Sequence, residues 1–265
     1  MKPAPFAYEA PRTLEQALDA LGEDTRVLAG GQSLVPMMNF RLARPERLID
    51  VNGVDGLGEL RRSGDALRIG ALTRQAALER SELVARGWPL LRQAGRFVGH
   101  PQIRARGTVG GSVAHADPAA ELPVALTALD ARFLVRSARG TRTLRAEQLF
   151  VSYYTTALEP DELLVEIEVP PAPAGARMAF AEHARTHGDF ATAGAAVVIA
   201  PGEHCAIALL GAGPTPRRAT AAEQAAVAGA APAEVGALAA AGLDGDHQRA
   251  LTAELVRRAM AEALA

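Results

Sequence analysis

The chain has 265 residues, 49% of them hydrophobic, and a net charge of −2 at pH 7. That is enough apolar material for one large core or two modest ones, and it provides no global basic field to attract nucleic acid. Lys2 is the only lysine and Cys205 the only cysteine, so no disulfide can form within the chain and no iron–sulfur cluster, which normally takes four thiolates, can be held by it.

In chain order, Pro11 to Leu21 reads as a helix, with Thr13 as N-cap and Leu14, Ala17, Leu18 and Leu21 on one face. Arg26 to Ala29 is a short buried strand broken by Gly30-Gly31. Ser33 then stands as the cap of a helix carrying Leu34, Met37, Met38 and Leu42, with Pro36 tolerated in its first turn. Arg47 to Val51 is another strand, ended by Asn52-Gly53, and Leu57 to Leu72 reads as a hairpin turning at Ser63-Gly64-Asp65. Helices are expected over Arg74 to Glu79 and Pro89 to Phe97. Gln102 to Asp117 is rich in glycine and small residues and has no clear period. Ala119 to Leu129 returns to helix, and Arg132 to Leu144 is a hairpin turning at Gly140. Leu163 to Val169 is a strand running into Pro170-Pro171-Ala172-Pro173, the best candidate linker in the chain.

The composition then changes. Met178 to Ala184, Ala193 to Ile199 and Cys205 to Leu210 read as strands, the last two joined across Pro201-Gly202-Glu203. Helices follow near Arg218 to Ala228, Pro232 to Ala241 and Gln248 to Ala263. Strands followed by helices predict a small α+β domain.

No apolar run approaches the roughly 20 residues that span a bilayer. Met1 to Ala10 carries Pro3, Pro5 and Glu9 without an apolar core, so a secretory signal is not expected there. A reducing, cytoplasmic compartment suits the single thiol. His115 and Asp117 are the nearest thing to a metal pair and read as the polar edge of a turn, so no metal site is expected.

Two glycine turns stand out. Ala29-Gly30-Gly31-Gln32-Ser33-Leu34 follows a strand and opens a helix, where backbone can approach a ligand closely and free N–H groups can donate to an anion such as a diphosphate. Gly107-Thr108-Val109-Gly110-Gly111-Ser112 again offers consecutive backbone donors and two hydroxyls; its structural alternative is a crossover between strands packed too tightly for side chains. Two such turns in one domain could clamp a dinucleotide from both sides. Neither matches the P-loop or the Gly-x-Gly-x-x-Gly fingerprint.

With both turns in place, the chain resembles the flavin subunits of molybdenum hydroxylases, the medium subunits of the xanthine dehydrogenase and carbon monoxide dehydrogenase family. The first stretch runs from Ala29 to Met38, with Arg41-Leu42 and Pro45 beyond it. The second runs from Gly99-His100-Pro101 through Gly107-Thr108-Val109-Gly110-Gly111-Ser112 to His115-Ala116-Asp117-Pro118-Ala119-Ala120-Glu121-Leu122-Pro123. Arg185 with Gly188-Asp189-Phe190-Ala191 resembles the segment that opens the family's C-terminal domain. The resemblance implies an α+β fold: a PCMH-type FAD-binding domain over 1–172, with subdomains of about 1–55 and 56–172. A C-terminal domain over 177–265, with a three-stranded antiparallel sheet and helices, would follow.

The resemblance also implies residue roles. Ala29, Gly30, Gly31, Gln32, Ser33 and Leu34 would hold the FAD diphosphate through backbone N–H groups. Thr108, Val109, Gly110, Gly111 and Ser112 would hold it from the other side and approach the ribityl chain, so valine at Gly31 or Gly110 should block that approach. Glu121 matches an acidic position that contacts FAD, or is a charge at a helix N-terminus. Asp117 hydrogen-bonds within the same loop or caps the following helix, and Leu164 lies beside the flavin or is a buried strand leucine. His100 and His115 read as loop-packing residues, and no catalytic residue is expected.

Two departures matter. Ala181-Glu182-His183-Ala184 occupies a stretch where family members often carry a lysine near the flavin, which puts the flavin potential and acceptor preference in question. Ala105 replaces a frequent asparagine. By resemblance, the chain would pass electrons from two 2Fe-2S clusters on a small partner subunit through FAD to an external acceptor. Hydroxylation would occur at a molybdenum–pterin cofactor on a large partner subunit, within a dimer of heterotrimers. The alternative is a self-sufficient flavin oxidoreductase of the wider PCMH superfamily, for which the C-terminal segment shows no obvious acid or base set.

Overall fold

The computed structural model describes residues 2–265. Its first region contains β1 (Ala7–Glu9), α1 (Leu14–Ala20), β2 (Thr25–Leu28), α2 (Leu34–Asn39) and β3 (Arg47–Asp50). The strands form a parallel sheet in the order β1-β3-β2. Thr13 caps α1 as expected: its hydroxyl accepts from the Gln16 N–H, and the Gln16 side chain accepts in return from the Thr13 N–H. Ala17 and Leu18 of this helix are buried in one apolar cluster with Ile49 and Val51. β1 carries no strand signal in the sequence because all three of its residues are exposed, with no alternation to read; it is held by pairing to β3. The helix after the first glycine turn is shorter than predicted. Arg41 takes a left-handed conformation (φ 59°), which ends the helix and leaves Leu42 76% exposed rather than on its apolar face.

The second region runs through β4 (Leu60–Ser63), β5 (Ala66–Gly70), α3 (Gln75–Arg80), α4 (Glu82–Gly87), α5 (Pro89–Phe97), α6 (Pro101–Arg106), α7 (Val109–His115), α8 (Glu121–Ala128), β6 (Arg132–Ser137), β7 (Gly140–Arg145), α9 (Ala146–Leu149), β8 (Phe150–Ser152), β9 (Thr155–Thr156) and β10 (Leu163–Val169). Its main sheet is antiparallel, in the order β4-β5-β10-β6-β7; the first hairpin turns at Gly64-Asp65 as expected, and the second turns at Ala138-Arg139, one residue before the expected Gly140. Every residue of α8 is buried, including Glu121; a fully buried Leu122 or Leu126 contributes about 2 kcal/mol by apolar burial. Two predictions need correction. α4 was not anticipated, although Ser81 caps it by accepting from the Val84 N–H. The stretch without a period is two short helices, α6 and α7, started by Pro101 and capped by Thr108. Helices of six and seven residues are too short to display a period.

The third region contains β11 (Arg177–His183), β12 (Ala193–Ala200), β13 (His204–Leu210), β14 (Arg217–Arg218), α10 (Thr220–Val227), α11 (Pro232–Ala240) and α12 (Asp246–Leu264). The antiparallel sheet has four strands rather than the expected three, because the two-residue β14 pairs with β13. Two consecutive arginines carry no strand signature; Arg218 is held by ion pairs to Glu223 and Asp130. One face of the sheet, with Phe180, Ala196, Val198, Ala206 and Leu210, joins the core that contains α5 and α8. The other face, with Ala195, Val197, Ile207 and Leu209, is covered by residues of the terminal helices such as Val235, Val256 and Met260. Burial on both faces explains why β12 is apolar throughout instead of alternating.

Candidate functional site: a cavity where two glycine turns meet

The first glycine turn leaves β2 and enters α2. Gly31 has φ +72°, a conformation that a side chain would strain. Among the described residues, the N–H groups of Gly30 through Leu34 have no acceptor within the protein. Ser33 occupies the cap position, but its backbone is helical and its side chain makes no capping bond. The predicted cap is therefore absent, and its hydroxyl remains available.

The second turn is built differently. The predicted row of free backbone donors is not present. Gly107 N–H closes α6 on Ile103 O, Val109 N–H donates to Thr73 O, Gly110 N–H to Ala71 O, and Ser112 N–H to Thr108 O. Gly111 N–H donates to the Thr108 hydroxyl at 3.1 Å. Of the six amides only that of Thr108 lacks an acceptor. Val109 is wholly buried in the core and lies off the cavity wall. At Gly110 a Cβ would sit 2.5 Å from the Ala71 Cβ and 2.7 Å from its Cα, so this glycine is needed for α7 to lie against the end of β5. What the second turn offers a ligand is hydroxyl groups: no acceptor inside the protein is found for the O–H of Thr108 or Ser112.

The two turns touch. A Cβ on Gly30 would lie 2.5 Å from Arg106 O and 2.8 Å from Gly107 Cα, and one on Gly111 would lie 3.8 Å from the Ala29 Cβ. Together they line one cavity of about 1300 Å³, large enough for an extended dinucleotide. Ala29, Gly30, Gly31, Gln32, Ser33, Leu34, Thr108, Gly110, Gly111, Ser112, Asp117, Glu121 and Leu164 all contribute to its wall; of the predicted site residues only Val109 does not.

Other residues complete the wall. Gln75 is buried, and its Oε1 has no hydrogen-bond partner. His100, at the cap position before α6, lines the cavity, and its ring packs against Gly188 so closely that a Cβ there would fall 2.5 Å from Cε1. Phe190, 74% exposed, stands beside it on the wall. Tyr154 enters from the turn between β8 and β9, its ring 5.2 Å from that of His115. The Gly188-Asp189-Phe190 segment is distant in the chain, and only folding brings it onto the wall it shares with the glycine turns.

Among the described residues, Arg26 and Arg44 are the only arginines on a wall that also carries Asp117, Glu121, Glu162 and Asp189. An anion in this cavity must therefore rely chiefly on amide and hydroxyl donors. Burial pushes the Glu121 carboxyl up to about 8, its own backbone amide opposes this, and the negative charges of Glu182 and Asp117 add to the rise. Glu121 is thus protonated at neutral pH and can donate a hydrogen bond. It is buried at the N-terminus of α8, so its two alternative roles meet at one position. Asp117 does not cap α8; its Oδ1 accepts from the Ala119 N–H at 2.9 Å within the preceding loop. Burial lowers the His115 imidazole below its ordinary value, partly offset by Asp117, which favours the neutral ring. Glu182, from the stretch without the family lysine, lies off the cavity wall; burial raises it to about 7, and its Oε2 has no partner.

The family described as FAD binding domain in molybdopterin dehydrogenase matches residues 4–172. The chain belongs to this family. Among its relatives, the 6-hydroxypseudooxynicotine dehydrogenase complex subunit alpha of Paenarthrobacter nicotinovorans is 46% identical over 231 residues, covering 84% of this chain and 78% of the relative. The nicotine 6-hydroxylase medium subunit of the same organism is 43% identical over 201 residues, covering 75% and 70%. A chain in the solved structure of carbon monoxide dehydrogenase from Hydrogenophaga pseudoflava superposes with a TM-score of 0.94 at 39% identity, covering 100% of this chain and 99% of that one. In this molybdopterin dehydrogenase family the medium subunits are oxidoreductase components, and the mixed helix-and-sheet architecture is shared across the full length.

Proposed function

We propose that this chain carries FAD as the medium subunit of a heteromeric molybdenum hydroxylase. The observation that carries the reading is the meeting of the two turns on one large cavity, the first with its amides free and the second with two hydroxyls turned to no internal acceptor. Gly30 through Leu34 would hold the diphosphate by backbone N–H, with Ser33, Thr108 and Ser112 adding hydroxyl donors. Glu121, held neutral, would donate to an oxygen or nitrogen of the ligand, and Leu164 would provide an apolar wall. Bound FAD would supply electron exchange between two 2Fe-2S clusters on a small partner subunit and an external acceptor. The chain's own part is to bind and orient that group. A large partner subunit would hold the molybdenum–pterin cofactor, and a dimer of heterotrimers is the assembly we infer. The relatives' names as subunits of complexes support these partners.

Among the described residues no helix is long and apolar enough to cross a membrane. The single buried thiol of Cys205 suits a reducing cytoplasm. We read residues 1–172 as the FAD-binding part and 177–265 as the C-terminal domain, divided at the proline cluster.

The test is direct. The purified chain, alone or with its partners, should show a flavin absorption spectrum and release FAD on denaturation in near-equimolar amount. A colourless protein that cannot be reconstituted with FAD would overturn the reading. Affinity purification should also recover a large and a small subunit.

A further inference from the structure

We propose that Asn52 and Arg74 form a clamp behind the cavity that fixes the two glycine turns relative to one another and thereby sets affinity for the diphosphate of the bound dinucleotide. This rests on the FAD reading above. Neither residue lines the cavity. Asn52 Nδ2 donates to Ala29 O at 2.8 Å, with a longer contact to Leu28 O at 3.4 Å, while Asn52 Oδ1 accepts from Arg74 Nη2 at 2.7 Å. Arg74 Nη1 in turn donates to Arg106 O, the carbonyl against which Gly30 is packed. One unbroken path thus joins the carbonyl at the start of the first turn to the carbonyl that precedes the second.

The side-chain types are dictated by this path. A guanidinium only donates, so the oxygen of the Asn52 amide must face Arg74 and its nitrogen must face Ala29. Asp50 aims the amide: its Oδ1 accepts from Asn52 Nδ2 at 2.6 Å and from the Asn52 backbone N–H at 2.9 Å. Tyr8 Oη donates to Asp50 Oδ2 at 2.6 Å, which ties the aiming group to β1. Burial raises the Asp50 carboxyl, but the bonds from Tyr8 and Asn52 and the charge of Arg74 outweigh that and hold it below its ordinary value.

The link to the ligand is geometric. In a trans peptide unit the C=O and the following N–H point in opposite directions. Tying the Ala29 carbonyl outward to Asn52 therefore turns the Gly30 N–H, first of the free row, toward the cavity side. Arg74 reaches two separated oxygens with two nitrogens of one planar group, which a lysine ammonium cannot reproduce with the same spacing. Asn52 and Arg74 are positioning residues: they act on the ligand through the backbone of the turns.

The experiment uses the full chain reconstituted with FAD, comparing wild type with Arg74→Lys, Asn52→Leu and the milder Tyr8→Phe. FAD affinity is measured by flavin fluorescence quenching, the diphosphate by its ³¹P resonances at saturating FAD, and the ring by its visible spectrum. Arg74→Lys and Asn52→Leu should each weaken FAD binding about tenfold, the size of one hydrogen bond to a charged group. They should shift the ³¹P resonances and leave the visible spectrum unchanged. The double variant should lose little more than either single one, because the two residues act in series. Tyr8→Phe should move the same readouts less. Unchanged affinity in Arg74→Lys, or weakened affinity with unmoved ³¹P resonances, would overturn the clamp. If Asn52→Leu does not fold, Arg74→Lys and Tyr8→Phe decide. A wild-type chain that binds no FAD would instead overturn the functional reading on which the clamp rests.

Discussion

The two glycine turns look alike in the sequence and differ in the fold. Ala29 to Leu34 keeps its amides free, and its glycines allow a left-handed residue and a close approach to the neighbouring turn. Gly107 to Ser112 uses nearly all its amides internally, and Gly110 is there to seat a helix on a strand. Glycine removes a side chain in both cases, but only in the first does this leave backbone donors open to a ligand. A glycine-rich motif therefore indicates close approach, and the partner being approached must be read from the structure.

This contrast can be broken most forcefully at Gly110. Gly110→Val should destabilise the FAD-free chain by about 3 kcal/mol, because the new side chain meets Ala71 backbone that cannot yield. Thermal or urea unfolding without FAD checks it, and an undamaged fold with lost FAD binding would restore a direct ligand role for this glycine. Gly31→Ala should cost about 1 kcal/mol for placing a side chain at positive φ. It should also weaken FAD binding by roughly tenfold as the free amides shift; isothermal titration against FAD separates the two effects. Thr108→Val removes the α7 cap and should cost about 1 kcal/mol of stability, whereas Ser33→Ala, which caps nothing, should leave the melting temperature of the FAD-free chain unchanged and reduce only FAD affinity.

The smallest effect at neutral pH is expected at Glu121. Its folded value of about 8 lies above its ordinary 4.5, so the folded chain holds a proton that the unfolded chain releases. This contribution to stability is complete below 4.5 and is lost as pH rises through about 8. Glu182, raised to about 7, has the same sign. Glu121→Gln and Glu182→Gln should therefore flatten the decline in the melting temperature of the FAD-free chain over this range. A variant that melts with the same pH slope as wild type would show that its carboxyl stays ionised in the fold.

Some elements are legible from local chemistry alone. The Thr13 cap, the hairpin turn at Gly64, the hairpin turn beside Gly140, and strand β10 over Leu163–Val169 each depend on residues close together in the chain. β1, whose three exposed residues pair with β3, and β14, where Arg218 is held by Glu223 and Asp130, carry no such local signal. The candidate site divides in the same way. Both turns were legible as glycine patterns and Glu121 entered only through the resemblance, but Gln75, Tyr154 and the contact of His100 with Gly188 were legible in neither way. Nothing in a linear pattern marks a side chain as facing a cavity whose other walls come from distant segments.

By itself the sequence determined the longer elements, most of their turns and the two places where backbone must come close to something, since propensity, capping and glycine conformation are properties of a few neighbouring residues. Only the tertiary structure decided what each turn approaches, which amides stay free, and that Asn52 and Arg74 tie the turns together. The physical reason is that a hydrogen bond or a steric limit between remote segments exists only once the chain has brought them within reach, and the identity of either residue alone does not reveal its partner.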